Sequence, residues 1–251
     1  MIKIELLGAP GVGKSTFYNK LLKRKRAVNW LTPREGIIDA VKSNHRISLL
    51  PNRRNLIKIG VLQKFHYNWS KEILFSNKRH LIHKFSLKNG GLIEAYLNSI
   101  SKTQIDDYYK IYLLEQLLGY IEEVIILDEY QKEKIVFWDE GIAQNAKVFE
   151  KNEYFKKFNN NEIPQVIFHC DLEIDENIKR LKKRMDDNSR SLDKRIKELG
   201  IDSCTFCKNN HDLINDKLKV LEQMGTRVIK LDLSNEDELN FGLVDQTLEC
   251  I

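Results

Sequence analysis

The eight residues Gly8-Ala9-Pro10-Gly11-Val12-Gly13-Lys14-Ser15 constrain this chain more than any other stretch. They satisfy the pattern G-x-x-x-x-G-K-[ST]. An apolar run from Ile4 to Leu7 precedes them and a helical pattern from Ser15 to Arg26 follows. A strand that turns into a helix through such a loop directs several backbone N–H groups at one anion. The positive end of the helix adds to the same field. Strand, glycine loop, Lys-Ser and helix in this order predict a nucleoside-triphosphate site, not a turn that merely starts a helix. Gly8, Ala9, Pro10, Gly11, Val12, Gly13, Lys14, Ser15 and Thr16 would line the phosphates. Lys14, facing ligand and not core, would reach the β- and γ-phosphates, and the Ser15 hydroxyl would hold Mg²⁺.

Such a loop stands on a parallel sheet, and 251 residues are enough for one elaborated α/β domain. The opening Met1-Ile2-Lys3-Ile4-Glu5 lacks the basic and apolar regions of a secretory signal. No run of about 18 apolar residues offers a membrane span. Cys170, Cys204, Cys207 and Cys250 are too few and too irregular for a disulfide framework. These features point to a cytoplasmic protein.

The helix after the loop presents Phe17, Leu21 and Leu22 inward, and Lys23 to Arg26 suit its negative end. Ala27 to Leu31 reads as a second strand and Thr32-Pro33-Arg34-Glu35-Gly36 as a loop. From Ile37 to about Tyr130 the pattern is mostly helical, with breaks expected at Pro51-Asn52 and Asn89-Gly90-Gly91. The clearest helix begins near Asp106-Asp107 and carries Ile111, Leu114, Leu118, Ile121 and Ile125 at helical spacing.

Two places read as four apolar residues followed by Asp-Glu: Val124 to Glu129 and Ile135 to Glu140. Either could be a buried parallel strand ending in an acid beside the phosphates. The first continues the preceding helical period without a breaker. The second follows the polar turn Gln131 to Lys134 and stops at Gly141, so periodicity and flanks favour it. Further helices are expected at Ile142 to Lys151, Asp175 to Met185, Leu213 to Met224 and from near Ser234. Further strands are expected at Gln165 to Cys170 and Arg227 to Leu233. This alternation predicts an α/β fold, a P-loop NTPase three-layer sandwich with a central parallel sheet of about five strands. Residues 1–251 would form one domain, with a large, mostly helical insertion at about 37–130.

The order of parts resembles the P-loop nucleoside and nucleotide kinases, thymidylate kinase and its relatives most of all. Gly8 to Thr16 matches the family's phosphate loop. Ile135 to Gln144 lies where the family has a strand ending in Asp-Arg and a nearby helix carrying Gln. Arg180 and Arg184 follow the strand at Val166 to Cys170, where the family has a helix running into an arginine-bearing lid. Val228 to Asp232 matches its last strand. The resemblance implies an ATP- and Mg²⁺-dependent phosphotransferase. Asp139 would either orient Mg²⁺ through water or accept a hydrogen bond from the acceptor hydroxyl. Glu140 would position or deprotonate the nucleophile, or simply cap a helix. Arg184 and Arg190 would close over the triphosphate and stabilise charge on the moving phosphoryl group. Lys14, Asp139, Glu140, Arg184 and Arg190 are thus the expected catalytic residues, and Ser15 and Asp139 the metal ligands. Glu35 lies where nucleoside kinases can have a base after the second strand, and Arg34 could clamp an acceptor anion. Where thymidylate kinases have Asp-Arg, this chain has Asp139-Glu140-Gly141. The arginine that would hold an acceptor's phosphate is missing there.

Charge is unevenly spread. Between Lys42 and Lys88 lie eleven basic residues and one acid, Glu72, so this segment carries +10 and the rest of the chain −5. Its field favours an anionic acceptor near the insertion: a nucleotide, a phosphorylated sugar or a polynucleotide end. Phe65, Tyr67, Trp69, Phe75 and Phe85 lie in the same segment, either as stacking surfaces for a nucleic acid or as the core of the helices. Cys204, Cys207 and His211 have a spacing that could ligate zinc, but one C-x-x-C without a second pair is a weak zinc signal. Competing with a kinase are a P-loop ATPase or switch acting on a partner, with Glu140 activating water, and a module binding nucleic acid or a charged glycan.

Overall fold

The structure is a computed structural model, and it describes residues 1–24, 30–43, 63–74, 78–101, 107–145, 163–186, 200, 202–235 and 237–251. The Pro51-Asn52 break, Arg190, and parts of the strand expected from Ala27 and of the helix expected to Lys151 lie outside them. Five strands are present: β1 (Ile2–Leu7), β2 (Trp30–Leu31), β3 (Ile135–Trp138), β4 (Val166–Asp171) and β5 (Arg227–Asp232). The helices among the described residues begin with α1 (Lys14–Arg24), α2 (Pro33–Ser43), α3 (Gln63–Leu74), α4 (Lys78–Ser101) and α5 (Asp107–Tyr130). They continue with α6 (Ile142–Asn145), α7 (Ile174–Asp186), α8 (Ser203–Gln223) and α9 (Asp237–Glu249).

The strands form one parallel sheet in the order β2-β3-β1-β4-β5, the five-stranded α/β architecture expected. Ile4 to Leu7 pair with Val166 to His169, and Val166 to Asp171 pair with Arg227 to Asp232. Helices cover such a sheet, so its strands are unbroken apolar runs: Val136, Phe137 and Trp138 in β3 are all buried, as are Val166, Ile167 and Phe168 in β4. The order of strands turns back at β1, and an open α/β sheet binds ligands at the carboxyl end of such a strand. Gly8 begins there.

The chain divides into two compact units. One comprises Met1–Lys3, Asn29–Trp138 and Lys156–Glu162; the other comprises Ile4–Val28, Asp139–Phe155 and Ile163–Ile251.

In the first unit α2 packs on α3 and α5, and α4 on α5. Three expectations need correction here. Thr32 to Gly36 is not a loop, because α2 starts at Pro33. Thr32 N–H donates to Glu35 Oε2 at 2.8 Å and Glu35 N–H to Thr32 Oγ1 at 3.1 Å, a capping box with proline at the first helical position. The Asn89-Gly90-Gly91 break is also absent, and α4 runs through it. Leu81 and Phe85 before it, and Ala95, Tyr96 and Ile100 after it, are all buried. That packing outweighs a glycine cost of about 1 kcal/mol each. The third correction concerns α5. Ile111 and Leu118 are 57% and 59% exposed, and the buried face is Leu113, Leu117, Ile121 and Val124. Val124 to Leu127 are all buried, which explains why this helical turn imitates a strand in sequence.

In the second unit Phe17 of α1 stacks on Phe241 of α9 with ring centroids 5.3 Å apart, and the Arg24 guanidinium lies over the same ring. Lys20 and Arg24 pair with Asp237 and Glu238 of α9. Opposite charges thus border the aromatic contact. On α7, Ile178, Leu181 and Met185 bury one face together with Cys207 of α8. α8 begins ten residues before the expected Leu213, because the Asp202 carboxylate caps it through Thr205 N–H. No described helix is long and apolar enough to cross a membrane.

Candidate active site

The loop from Gly8 to Gly13 leaves β1 and enters α1. Gly11 and Gly13 have φ of +91° and +106°, where a side chain would strain the backbone, so glycine at these positions sets the turn. Gly13 C=O accepts from Phe17 N–H at 2.9 Å and opens the helix. Lys14, at the start of α1, is buried and not open as expected: only 7% of it is exposed. Its ammonium curls back over the loop and donates to Gly8 O at 2.7 Å, with Ala9 O at 3.5 Å. Burial pulls its pKa down, while Glu140 and Asp139 hold it up and Arg184 opposes them. Cys170 lies in the same field, but burial pushes its thiol up to about 12, so it stays neutral and the carboxylates carry the compensation. Asp139, Glu140 and Arg184 thus all act electrostatically on Lys14. Ser15 is half-buried and Thr16 exposed.

Asp139 and Glu140 follow directly on β3, the strand favoured by flanking signals. Asp128 sits on α5. Asp139 is half-buried and Glu140 exposed. What fixes their turn is a residue that local reading passed over. Glu5 is an acid in the middle of β1 with 0% exposure. Its carboxylate accepts from Ile142 N–H at 3.1 Å and Ala143 N–H at 2.8 Å. A Cβ at Gly141 would come within 2.3 Å of that carboxylate, so only glycine fits between Glu140 and α6. At the other end of α6 the buried Lys217 ammonium donates to Gln144 O at 2.9 Å, with Ala143 O at 3.4 Å. An anion at its first N–H groups and a cation at its last carbonyls hold a helix of four residues that could not stand alone. Gln144 then accepts from Gly8 N–H through Oε1 at 3.1 Å, tying the acidic turn to the loop from Gly8 to Gly13. The signal for Glu5 was present, a lone acid in a buried strand, but its partners lie more than 130 residues away.

On α7, Arg180 donates to Val12 O in the loop at 3.3 Å and to Glu176 at 3.2 Å. Arg184 is half-buried one turn later. Ser15, Asp139 and Glu140 offer hard oxygen donors, and among the described residues no three His, Cys, Asp or Glu gather into a metal cage. That donor set fits Mg²⁺, which takes one or two carboxylates and completes its shell with phosphate oxygens and water. Cys207 and His211 face α7 instead: Cys207 packs on Ile178, Leu181 and Met185, and His211 meets the Asn177 amide. Glu35 is engaged in capping α2.

No protein-family model matches the chain, and no curated protein matches its sequence. Solved structures of the deoxyadenosine kinase from M. mycoides are similar in shape. The form with bound dATP has a TM-score of 0.45 and 14% identity, over 99% of this chain and 100% of that one. The form with the products dCMP and a flexible dCDP gives 0.43 and 14%, and the form with dCTP 0.42 and 12%, each over 100% of both chains. Likeness at this level carries no inference about substrate or chemistry.

Proposed function

We propose that the chain is an ATP- and Mg²⁺-dependent phosphotransferase of the nucleoside/nucleotide-kinase type, moving a γ-phosphoryl group to an anionic acceptor. The observation that supports this best is Lys14 folded over the loop onto Gly8 O at 2.7 Å, in the field of Asp139, Glu140 and Arg184. In this reading the loop amides and Lys14 hold the phosphates, the ammonium exchanging Gly8 O for phosphate oxygen. Ser15 and Asp139 hold Mg²⁺, which neutralises charge on the phosphates when bound. Asp139 or Glu140 takes the hydrogen bond of the acceptor hydroxyl, and Arg184 answers the charge that develops on the transferred group. Arg190, which lies outside the described residues, would act in the same sense. The acceptor is drawn by the +10 charge between Lys42 and Lys88.

One feature favours a second reading, a P-loop ATPase acting on a partner. Glu140 is exposed beside Asp139 and could activate water. An acceptor screen with γ-labelled ATP separates the two, covering nucleosides, nucleotides, polynucleotide ends and sugars. Label on an acceptor is expected; label only in free phosphate selects the ATPase. Lys14→Ala should abolish either activity in a folded protein, since about 1–3 kcal/mol of hydrogen bonding to Gly8 and Ala9 is all that it removes from stability. Undiminished turnover in that variant sinks the nucleotide site altogether.

A further inference from the structure

We propose that Asn177 is a positioning residue of the phosphate loop, and that His211 holds its amide in the working orientation. The inference rests on reading that loop as the nucleotide site. Asn177 has 0% exposure in a layer otherwise made of Ile178, Leu181, Met185 and Cys207. Leucine would fill such a place without the few kcal/mol that burying an amide costs. The amide is turned to a purpose. Nδ2 lies 3.0 Å from His211 Nε2, and the side chain also bonds the Cys207 sulfur. Oδ1 makes no hydrogen bond among the described residues. It faces Gly11 instead, where a Cβ would lie 2.8 Å from it. A side chain on Gly11, the left-handed residue of the loop, would therefore collide with this oxygen.

With Nδ2 turned to the ring the amide donates and Nε2 accepts, an arrangement that requires neutral His211 with its proton on Nδ1. Burial pushes the imidazole below its ordinary value, against Asp171 and Asp212, which pull it up. The ring borders a cavity of about 480 Å³. Asp171 and His169 of β4, Lys230 of β5, Glu173 ahead of α7 and Asp212 on its own helix line the same cavity. Once protonated, Nε2 becomes a donor, and two donors cannot share 3.0 Å. Asn177 must then turn its amide, giving Oδ1 to His211 and pressing an NH₂ group on Gly11. The sign follows. The folded protein favours neutral His211, so its contribution is complete above the ordinary imidazole pKa of 6.5 and is lost as pH falls below it toward the lowered folded value.

The test is calorimetric titration of Mg-ATP into the unsubstituted protein, Asn177→Leu and His211→Gln between about pH 5 and pH 8. At the alkaline end Asn177→Leu should bind about fivefold more weakly, because the loop loses the amide that backs Gly11. Glutamine at 211 accepts from Asn177 but does not titrate. The unsubstituted protein should therefore lose affinity relative to His211→Gln as pH falls. Equal affinity in Asn177→Leu, or a ratio to His211→Gln that is constant with pH, overturns the proposal. If Asn177→Leu fails to fold, the His211→Gln ratio decides alone. Binding that survives Lys14→Ala, by contrast, removes the nucleotide-site reading and leaves nothing for Asn177 to position.

Discussion

Charged side chains do different work in the two units. Around α6 they are few and deeply buried, and they address the backbone: Glu5 takes two N–H groups and Lys217 two carbonyls. On the helices of the other unit they are partly exposed and address each other. Lys71 pairs with Glu122 at 2.9 Å and Lys84 with Glu129, and the neutral Tyr67 hydroxyl donates to Glu123. A buried ion bonded to backbone dictates the position of the groups that it touches, because any shift leaves a charge or an amide stranded. A half-exposed pair of long side chains contributes about 0–1 kcal/mol and yields to salt. The first arrangement fixes the turn that carries Asp139 and Glu140, which the proposed phosphoryl transfer would use. The second supplies a field, which in the proposed reading would collect an anion without orienting it.

The sharpest way to break this contrast is Asp139→Asn. It keeps size and removes the charge beside Lys14, so turnover should fall about a thousandfold with little change in melting temperature. Asp128→Asn is the control from the other unit. Asp128 pairs with the buried Lys3 at 3.6 Å, so its loss should lower stability and leave turnover per folded molecule alone. A reversal of these two signatures would move the chemistry to the wrong acid and require the site to be redrawn.

Glu5→Gln comes next. One of two buried N–H groups, Ile142 or Ala143, would then confront an NH₂, at a cost of about 2 kcal/mol. Because the same carboxylate positions Asp139 through Gly141, turnover should drop about tenfold at temperatures where the protein is still folded. Denaturant melts together with kinetics check both. Lost stability with undiminished turnover would show that Glu5 supports the fold alone.

These residues also mark what local pattern reveals. The phosphate loop, β3 and the buried face of α7 are legible because each is set by neighbours in sequence. Glu5 and Asn177 are not, since the partners that give them meaning, Ile142 and His211, arrive through strand order and helix packing. Ile111 and Leu118 mislead for the converse reason: α5 is apolar on more than one face, so periodicity alone does not say which face is buried. The capping box at Thr32 to Glu35 stood in plain view as T-x-x-E behind a proline. It passed for a loop because Pro33 reads as a breaker unless it is placed at the first helical position.

The field of the helical unit is tested by reversing two charges of its basic segment. Arg53→Glu with Arg54→Glu changes the segment from +10 to +6. The acceptor's KM should rise about tenfold at low salt and that of ATP hardly at all, with the difference shrinking as ionic strength grows. Lysines that only solvate a helical cap would leave both KM values where they are. An equal rise for ATP and acceptor would instead place the charge on the phosphate loop's side of the reaction.

The smallest effect concerns Glu35, and its smallness is the point. If the glutamate after β2 were the base that takes the acceptor's proton, Glu35→Gln would cost orders of magnitude in turnover. In the structure its carboxylate accepts from Thr32 N–H, while its own N–H is satisfied by Thr32 Oγ1. Glutamine can accept in the same position, so Glu35→Gln should change stability by only a few tenths of a kcal/mol and leave turnover untouched. Thr32→Ala removes the hydroxyl that α2 needs and should cost about 1 kcal/mol of stability, again without effect on turnover. Thermal melts and initial rates on the two variants separate the roles. A large loss of rate in Glu35→Gln at unchanged melting temperature would return the base to the helical unit. That unit would then orient chemistry as well as attract its substrate.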